Sequence, residues 1–241
     1  MGIVITHGFI GTPQSVRFLG EKLAEEGYSV YGPRLKGHGT HYKDLAKATR
    51  NEWFGDVERG YRVLVEHHCS SIFIIGQSMG GTLALWLGNK YPEIKGLILI
   101  NAALTVPSYE YLIGKVSPNF VYESGPDIKQ EGVHEITYNK IPVFAIHELQ
   151  ALMNNTLEIL PTIKHPVLCF KSIEDHVVPP GNTDFILKQV QSNQKEVYTL
   201  KNSYHVASLD YEKETIVREV NRLIKKQLKS NPLKKKRESR S

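Results

Sequence analysis

The chain has 241 residues, 41% hydrophobic and 23% charged, which suits one α/β domain with a sizeable core and excludes a disordered chain. No apolar run approaches bilayer length, and Met1-Gly-Ile-Val-Ile-Thr-His-Gly8 has neither the basic flank nor the cleavage site of a signal peptide. The net charge of +5 is a property of one end: nine Lys/Arg and one Glu fall in residues 222–241, leaving the first 221 residues at −3.

That distribution argues against a basic groove for nucleic acid. Residues 229–241 are expected to form a disordered, solvated basic tail, with weak peripheral attraction to anionic lipid or nucleic acid as the alternative. Cys69 and Cys169 adjoin apolar runs without CxxC spacing and read as reduced, largely buried thiols of a cytoplasmic protein. The ten histidines form no HExxH or Cys/His pattern, so no metal is expected.

Short, β-branched apolar runs alternate with helical patterns. Ile3-Val4-Ile5 opens the series as a buried strand. A helix over 14–26 follows Pro13 and stops at Gly27. A weaker strand at 28–31 leads into Arg34-Leu-Lys-Gly-His-Gly-Thr-His-Tyr42. This loop lacks phosphate-binding glycine spacing and reads as a structured support for the pocket. A helix over 52–66 is announced by Thr49-Arg-Asn-Glu52, a capping-box spacing. Ile72-Phe73-Ile74-Ile75 is a second buried strand, followed by a turn and a helix over 79–90, then a strand at 97–100.

The alternation breaks between about Leu104 and Lys164. Pro107, Pro118, Gly125 and Pro126 mark turns, after which Phe144, Leu149, Leu152, Met153, Leu157 and Leu160 fall on one side of a long helical pattern. The segment is too long for a plain connection and leaves from a strand end. It reads as a cap over the C-terminal edge of the sheet, with helices packed on the flank as the alternative. A strand at 167–170, a helix at 181–191, a strand at 196–200 and a helix at 210–226 complete the series. Strict alternation implies right-handed βαβ units, a mostly parallel sheet and helices on both faces. The expected division is a core of 1–103 and 165–228, with 104–164 inserted.

The chemistry is carried by Gly76-Gln-Ser78-Met-Gly80-Gly81, between a strand and a helix. A sharp strand-to-helix turn presents the Ser78 hydroxyl at a helix N-terminus, and the glycines allow the close approach. A serine hydroxyl needs a base, which in this arrangement follows an acid late in the chain. His205, past the last strand, fits. His176 is the poorer partner, because it adjoins the acid candidates and adjacent side chains on an extended segment diverge. Asp175 and Glu174 both follow the strand at 167–170 and both could hold the imidazole. His7-Gly8-Phe9 ends the first strand, which assigns the oxyanion donors to the backbone N–H groups of Phe9 and Met79.

These motifs, with Asn101-Ala-Ala103, Glu174-Asp-His-Val-Val-Pro179 and Asn202-Ser-Tyr-His205-Val-Ala207, resemble the bacterial monoacylglycerol lipases of bacilli and related small carboxylesterases of the α/β-hydrolase superfamily. The resemblance runs to about Lys226 and favours Asp175 over Glu174. It implies cofactor-free hydrolysis of monoacylglycerols, with a short-chain carboxylesterase or thioesterase as the rival activity and a non-catalytic binding module as a remote one. It also implies a cap enclosing an acyl tunnel, and Glu135, in Val133-His-Glu-Ile-Thr-Tyr138, at the glycerol end. Two departures stand out. Gln77 replaces the usual Leu before the nucleophile, and the strand pair that normally precedes His7 is missing, as if the chain were truncated.

Overall fold

The computed structural model describes residues 1–229. Six strands, β1 (Gly2–Thr6), β2 (Ser29–Tyr31), β3 (Ile72–Gln77), β4 (Gly96–Ile100), β7 (Val167–Ser172) and β8 (Lys195–Leu200), form one sheet in the order β2-β1-β3-β4-β7-β8. Every pairing in it is parallel. The chain first steps from β1 to β2, then crosses back to lay β3 on the other side of β1. The crevice of this doubly wound sheet therefore opens beyond the C-terminal ends of β1 and β3, where Thr6 is in register with Gly76.

Alternating strand residues divide the core between two faces. Ile3, Ile5, Phe73, Ile75, Ile98, Ile100, Leu168 and Phe170 pack with α1 (Gln14–Glu25) and α8 (Lys213–Lys229). Val4, Ile74, Leu97, Leu99, Val167 and Cys169 face α3 (Arg50–Glu66), α4 (Met79–Lys90) and α6 (Val143–Ile159). Both faces are buried, which is why the strands read as unbroken apolar runs. The α3 capping box is present: the Thr49 hydroxyl accepts from the Glu52 N–H, while the Glu52 carboxylate accepts from the Thr49 N–H. The last helix begins at Lys213 and includes Lys229, which the sequence assigned to the tail; the remainder of that tail, 230–241, lies outside the described residues.

The 104–164 segment is more structured than its turn residues suggest. After α5 (Pro107–Glu110), β5 (Phe120–Tyr122) pairs antiparallel with β6 (Lys140–Pro142) as a separate ribbon, and α6 follows directly. α6 packs on α4 and α3. Trp86 of α4 donates to the Thr156 hydroxyl at 2.7 Å, and the Arg50 guanidinium meets both Glu148 carboxylate oxygens at 2.9 and 3.0 Å. The apolar side proposed for α6 needs correction. Leu149, Leu152, Met153 and Leu160 are buried, but Phe144 and Leu157 are exposed, and Val143, Ala145 and Ile146 take the inner positions. Docking against two helices at once rotates the buried stripe from the side that the larger side chains mark.

The remaining elements are the single turn α2 (Tyr42–Leu45), a 3₁₀ turn at Leu160–Thr162 and α7 (Gly181–Gln189). α4 is buried along almost its whole length, lying between β3, β4 and α6. Leu83, fully buried on it, has little room to collapse around a truncation. Leu83→Ala should cost about 2–5 kcal/mol in urea denaturation; a loss well under 1 kcal/mol would show that this contact is loosely packed.

Candidate active site

Each strand of the sheet delivers a loop to the same edge. β3 ends at Gln77, and the next residue, Ser78, has φ 55° and ψ −121° before α4 begins at Met79. A Cβ on Gly76 would collide with the Gly80 carbonyl, and one on Gly80 with the carbonyls of Thr6 and His7. Glycine at both positions is what lets strand and helix approach this closely. Ser78 N–H donates to the Ile100 carbonyl at 2.8 Å, and the Ser78 carbonyl accepts from Ala103 N–H at 3.2 Å, so the strained residue is held by the end of β4.

The Ser78 hydroxyl lies 2.9 Å from His205 Nε2, and His205 Nδ1 lies 2.8 Å from Asp175 Oδ2. The side chains of His205 and Asp175 are 8% and 1% exposed, so the line of polar atoms is shielded from water. Asp175 Oδ1 accepts from Val177 and Val178 N–H at 2.9 and 2.8 Å, which fixes the carboxylate in its own loop. Burial is the largest single influence on His205 and opposes its protonation, with the Asp175 carboxylate the main opposing one. With Asp127 and Glu135 adding to the effect, the imidazole is held above its ordinary pKa.

The competitors are placed elsewhere. Glu174 pairs with Lys129 at 2.9 Å, and the half-exposed His176 pairs with Asp127 at 2.8 Å. His7-Gly8-Phe9 lies against Ser78: a Cβ on Gly8 would stand 3.2 Å from Ser78 Cβ. Met79 is the first residue of α4, so its N–H has no acceptor within the helix. The Phe9 ring is boxed by His38, Trp53 and Tyr109 at centroid distances of 6.1, 5.9 and 6.3 Å.

The loop after β2 is a brace. His7 Nε2 accepts from Leu35 N–H, Trp53 donates to the Lys36 carbonyl, and the Tyr138 hydroxyl joins Gly37 and Thr40 to the inserted segment. Desolvation lowers the pKa of His7 to about 4 and of His38 to about 3.

Ser78, His205, Phe9 and Tyr138 line a cavity of about 350 Å³. Ile10, Val106, Tyr109, Leu149 and Val177 supply apolar wall, and Glu135 adds a carboxyl group. Glu135 sits where Gly11 has no side chain; a Cβ there would come within 2.6 Å of its Oε1. The Gln14 amide brackets it, donating to the His134 carbonyl at 3.0 Å and accepting from Ile136 N–H at 3.1 Å. Desolvation raises the Glu135 carboxyl to about 7, against the opposing pull of His205 and the Ser15 hydroxyl. Among the described residues no group of three or more His, Cys, Asp or Glu is arranged to hold a metal ion.

Sequence reasoning missed the polar supports. The His205 carbonyl accepts from Gln77 Nε2 at 2.6 Å and Asn101 Nδ2 at 2.9 Å. Asn101 also bonds Ser172 through both ends of its amide, and Gln77 Oε1 accepts from Ser208 N–H at 3.3 Å. Gln77, which stands where the resemblance expects Leu, is thus a buried link between the Ser78 turn and the His205 loop. Two polar residues at the ends of otherwise apolar strands were the available signal.

The parallel sheet, its flanking helices and the edge at which these loops meet define an α/β-hydrolase fold. Residues 2–212 match the Hydrolase_4 family, described as serine aminopeptidase, S33, and the chain belongs to that family. It is 45% identical over 219 residues to the thermostable monoacylglycerol lipase of Bacillus sp. (strain H-257), covering 90% of this chain and 87% of that protein. It is 27% identical over 227 residues to the carboxylesterase of Bacillus subtilis (strain 168), covering 93% and 92%. A solved structure from work on LipS and LipT, two metagenome-derived lipolytic enzymes, superposes with a TM-score of 0.89 at 42% identity over 93% of each chain.

The two buried histidines make the site region sensitive to acid. Their folded pKa values lie below the unfolded value of 6.5, so the stability they contribute is present above pH 6.5 and is lost as pH falls toward 4 and then 3. His38→Phe keeps an aromatic ring in the cluster and removes one titration. Its melting temperature should fall less than that of the parent between pH 6.5 and 4; identical slopes would show that His38 does not contribute.

Proposed function

We propose that this chain is a serine hydrolase that cleaves monoacylglycerols to glycerol and free fatty acid through an acyl-enzyme. The observation that carries the reading is the Ser78–His205–Asp175 line of hydrogen bonds at 2.9 and 2.8 Å, opening into a cavity with apolar wall and a carboxyl group. The likeness to a Bacillus monoacylglycerol lipase supports the substrate class.

In the proposed reaction, Ser78 Oγ attacks the ester carbonyl carbon while His205 Nε2 takes its proton and Asp175 stabilises the imidazolium. The Phe9 and Met79 N–H groups hold the carbonyl oxygen as it becomes an oxyanion. Collapse breaks the bond to the glycerol oxygen, which leaves with the proton from His205. Water, deprotonated by the same imidazole, then attacks the acyl-enzyme; the fatty acid departs and the proton returns to Ser78. Glu135 binds the glycerol hydroxyls, as donor or acceptor according to its proton. Residues 104–164 act as the cap over this site, carried on a core of 1–103 and 165–228.

The cytoplasm is the proposed compartment, in keeping with two free cysteines. Lipid is met at most peripherally, and no nucleic acid is bound. Among the described residues no helix is long and apolar enough to cross a membrane. The likeness to a Bacillus subtilis carboxylesterase favours a short-chain carboxylesterase as the second reading.

Ser78→Ala should reduce ester hydrolysis by at least ~10³-fold with an unchanged circular dichroism spectrum; sustained turnover would exclude the serine mechanism. Glu135→Ala should raise KM for a monoacylglycerol several-fold and leave p-nitrophenyl acetate kinetics nearly unchanged. Equal effects on both, or a strong preference of the parent for the acetate ester, would favour the carboxylesterase reading.

A further inference from the structure

The loops carrying the acid and the base of the proposed triad are joined by a carboxylate that belongs to neither. Asp127 lies in the inserted segment, yet its Oδ2 accepts from the backbone N–H of His205 at 3.0 Å and from that of His176 at 3.1 Å. Its Oδ1 is 2.8 Å from His176 Nδ1, and its own carbonyl accepts from Val206 N–H at 3.0 Å. The side chain is 16% exposed, at the wall of the cavity. One residue thus grips the base through its backbone and the residue next to the acid through backbone and ring.

We infer that Asp127 is a positioning residue for His205: it locks the His205 loop to the Asp175 loop and places a second negative charge behind the imidazole. The inference rests on the triad reading above. The charged groups facing the imidazole are Asp175, Asp127 and Glu135, and the Coulombic pull of Asp127 favours the imidazolium, as that of Asp175 does. His176 stands against Asp127, and the Lys129–Glu174 pair flanks it. Hydrogen bonds to two backbone N–H groups on different loops fix position; the charge fixes how readily the base takes a proton. The two effects separate by substitution. Asn at this position keeps an acceptor oxygen for the two N–H groups and removes the charge, whereas Ala removes both.

The test compares kcat/KM against pH on a soluble p-nitrophenyl ester for the parent, Asp127→Asn, Asp127→Ala, His176→Ala and the Asp127→Asn/His176→Ala double variant. Melting temperatures confirm folding. Asp127→Ala should lower kcat about tenfold or more with KM nearly unchanged, as expected for a misplaced base. Asp127→Asn should recover much of that kcat. It should also move the acidic midpoint of the profile down by ~0.5–1 pH unit, because His205 loses a charge that favours its protonated form. The shift should persist in the His176→Ala background. Parental kcat in Asp127→Ala, an unmoved midpoint in Asp127→Asn, or a shift that vanishes without His176 would each overturn the proposal. Should Asp127→Ala fail to fold, Asp127→Asn decides the matter alone. The imidazole ¹⁵N titration of His205, read in the parent and in Asp127→Asn without turnover, distinguishes failure of this inference from failure of the hydrolase reading.

Discussion

Ser78 changes the chain from strand to helix within a single residue, and the rest of the site is arranged around that turn. A non-glycine residue at φ 55° and ψ −121° costs on the order of 1–3 kcal/mol, so it persists only where its surroundings hold it. Here the supports come from three directions. β4 binds its N–H and the loop beyond binds its carbonyl; β3 and α4 meet without side chains at Gly76 and Gly80; and the His7 turn packs on its Cβ. Because Gly80 lies against the carbonyls of Thr6 and His7, the end of β1 can take one position only. The same contact that permits the turn therefore sets where the Phe9 N–H lies relative to the Ser78 hydroxyl.

A second demand follows from the parallel sheet. Its strands all release their loops at one edge, and those loops carry backbone polar groups into the interior beyond the reach of the strand ladder. Each must find a partner or bear a desolvation cost of about 1–3 kcal/mol. Asp210, fully buried, accepts from the backbone N–H groups of Lys129, Gln130, Tyr204 and Tyr211. Asn101, itself at φ 46°, joins the end of β4 to the last residue of β7 and to the loop after β8. The network that satisfies these groups is the same one that holds the His205 loop still. Satisfying the backbone and placing the imidazole are one structural task.

Sequence patterns revealed the sheet, its order of elements and the three side chains that meet at 2.8–2.9 Å, because each leaves a local mark: an apolar run, a cap, a glycine-flanked serine. Residues whose roles depend on distant partners left none. Asp127 follows Gly125-Pro126 and reads as turn chemistry; its value comes from N–H groups 49 and 78 positions away. Nothing in a strand shows that the amide of Gln77 will meet the His205 carbonyl. For α6 the pattern was present but misleading. Phe144 and Leu157 carry strong apolar weight, yet both are exposed and Val143 and Ala145 are buried, on a helix that packs on α3 and α4. The ribbon of β5 and β6, three residues a side, is too short to leave a period.

The inserted segment lines the cavity with three carboxyl residues, Glu123, Asp127 and Glu135, and the last two have different surroundings. Asp127 is met by two backbone N–H groups and a ring nitrogen. Glu135 is desolvated by burial and pushed up to about 7. Each pulls the His205 imidazole toward its protonated form. A base surrounded by too many fixed negative charges would stay protonated and could not accept from Ser78. With Asp175 and Asp127 placed by hydrogen bonds, a third full charge at Glu135 would worsen that bias. In the proposed reading, a carboxyl group raised to about 7 offers a hydroxylated ligand a polar contact with less of that penalty, and a donor as well as an acceptor with which to make it.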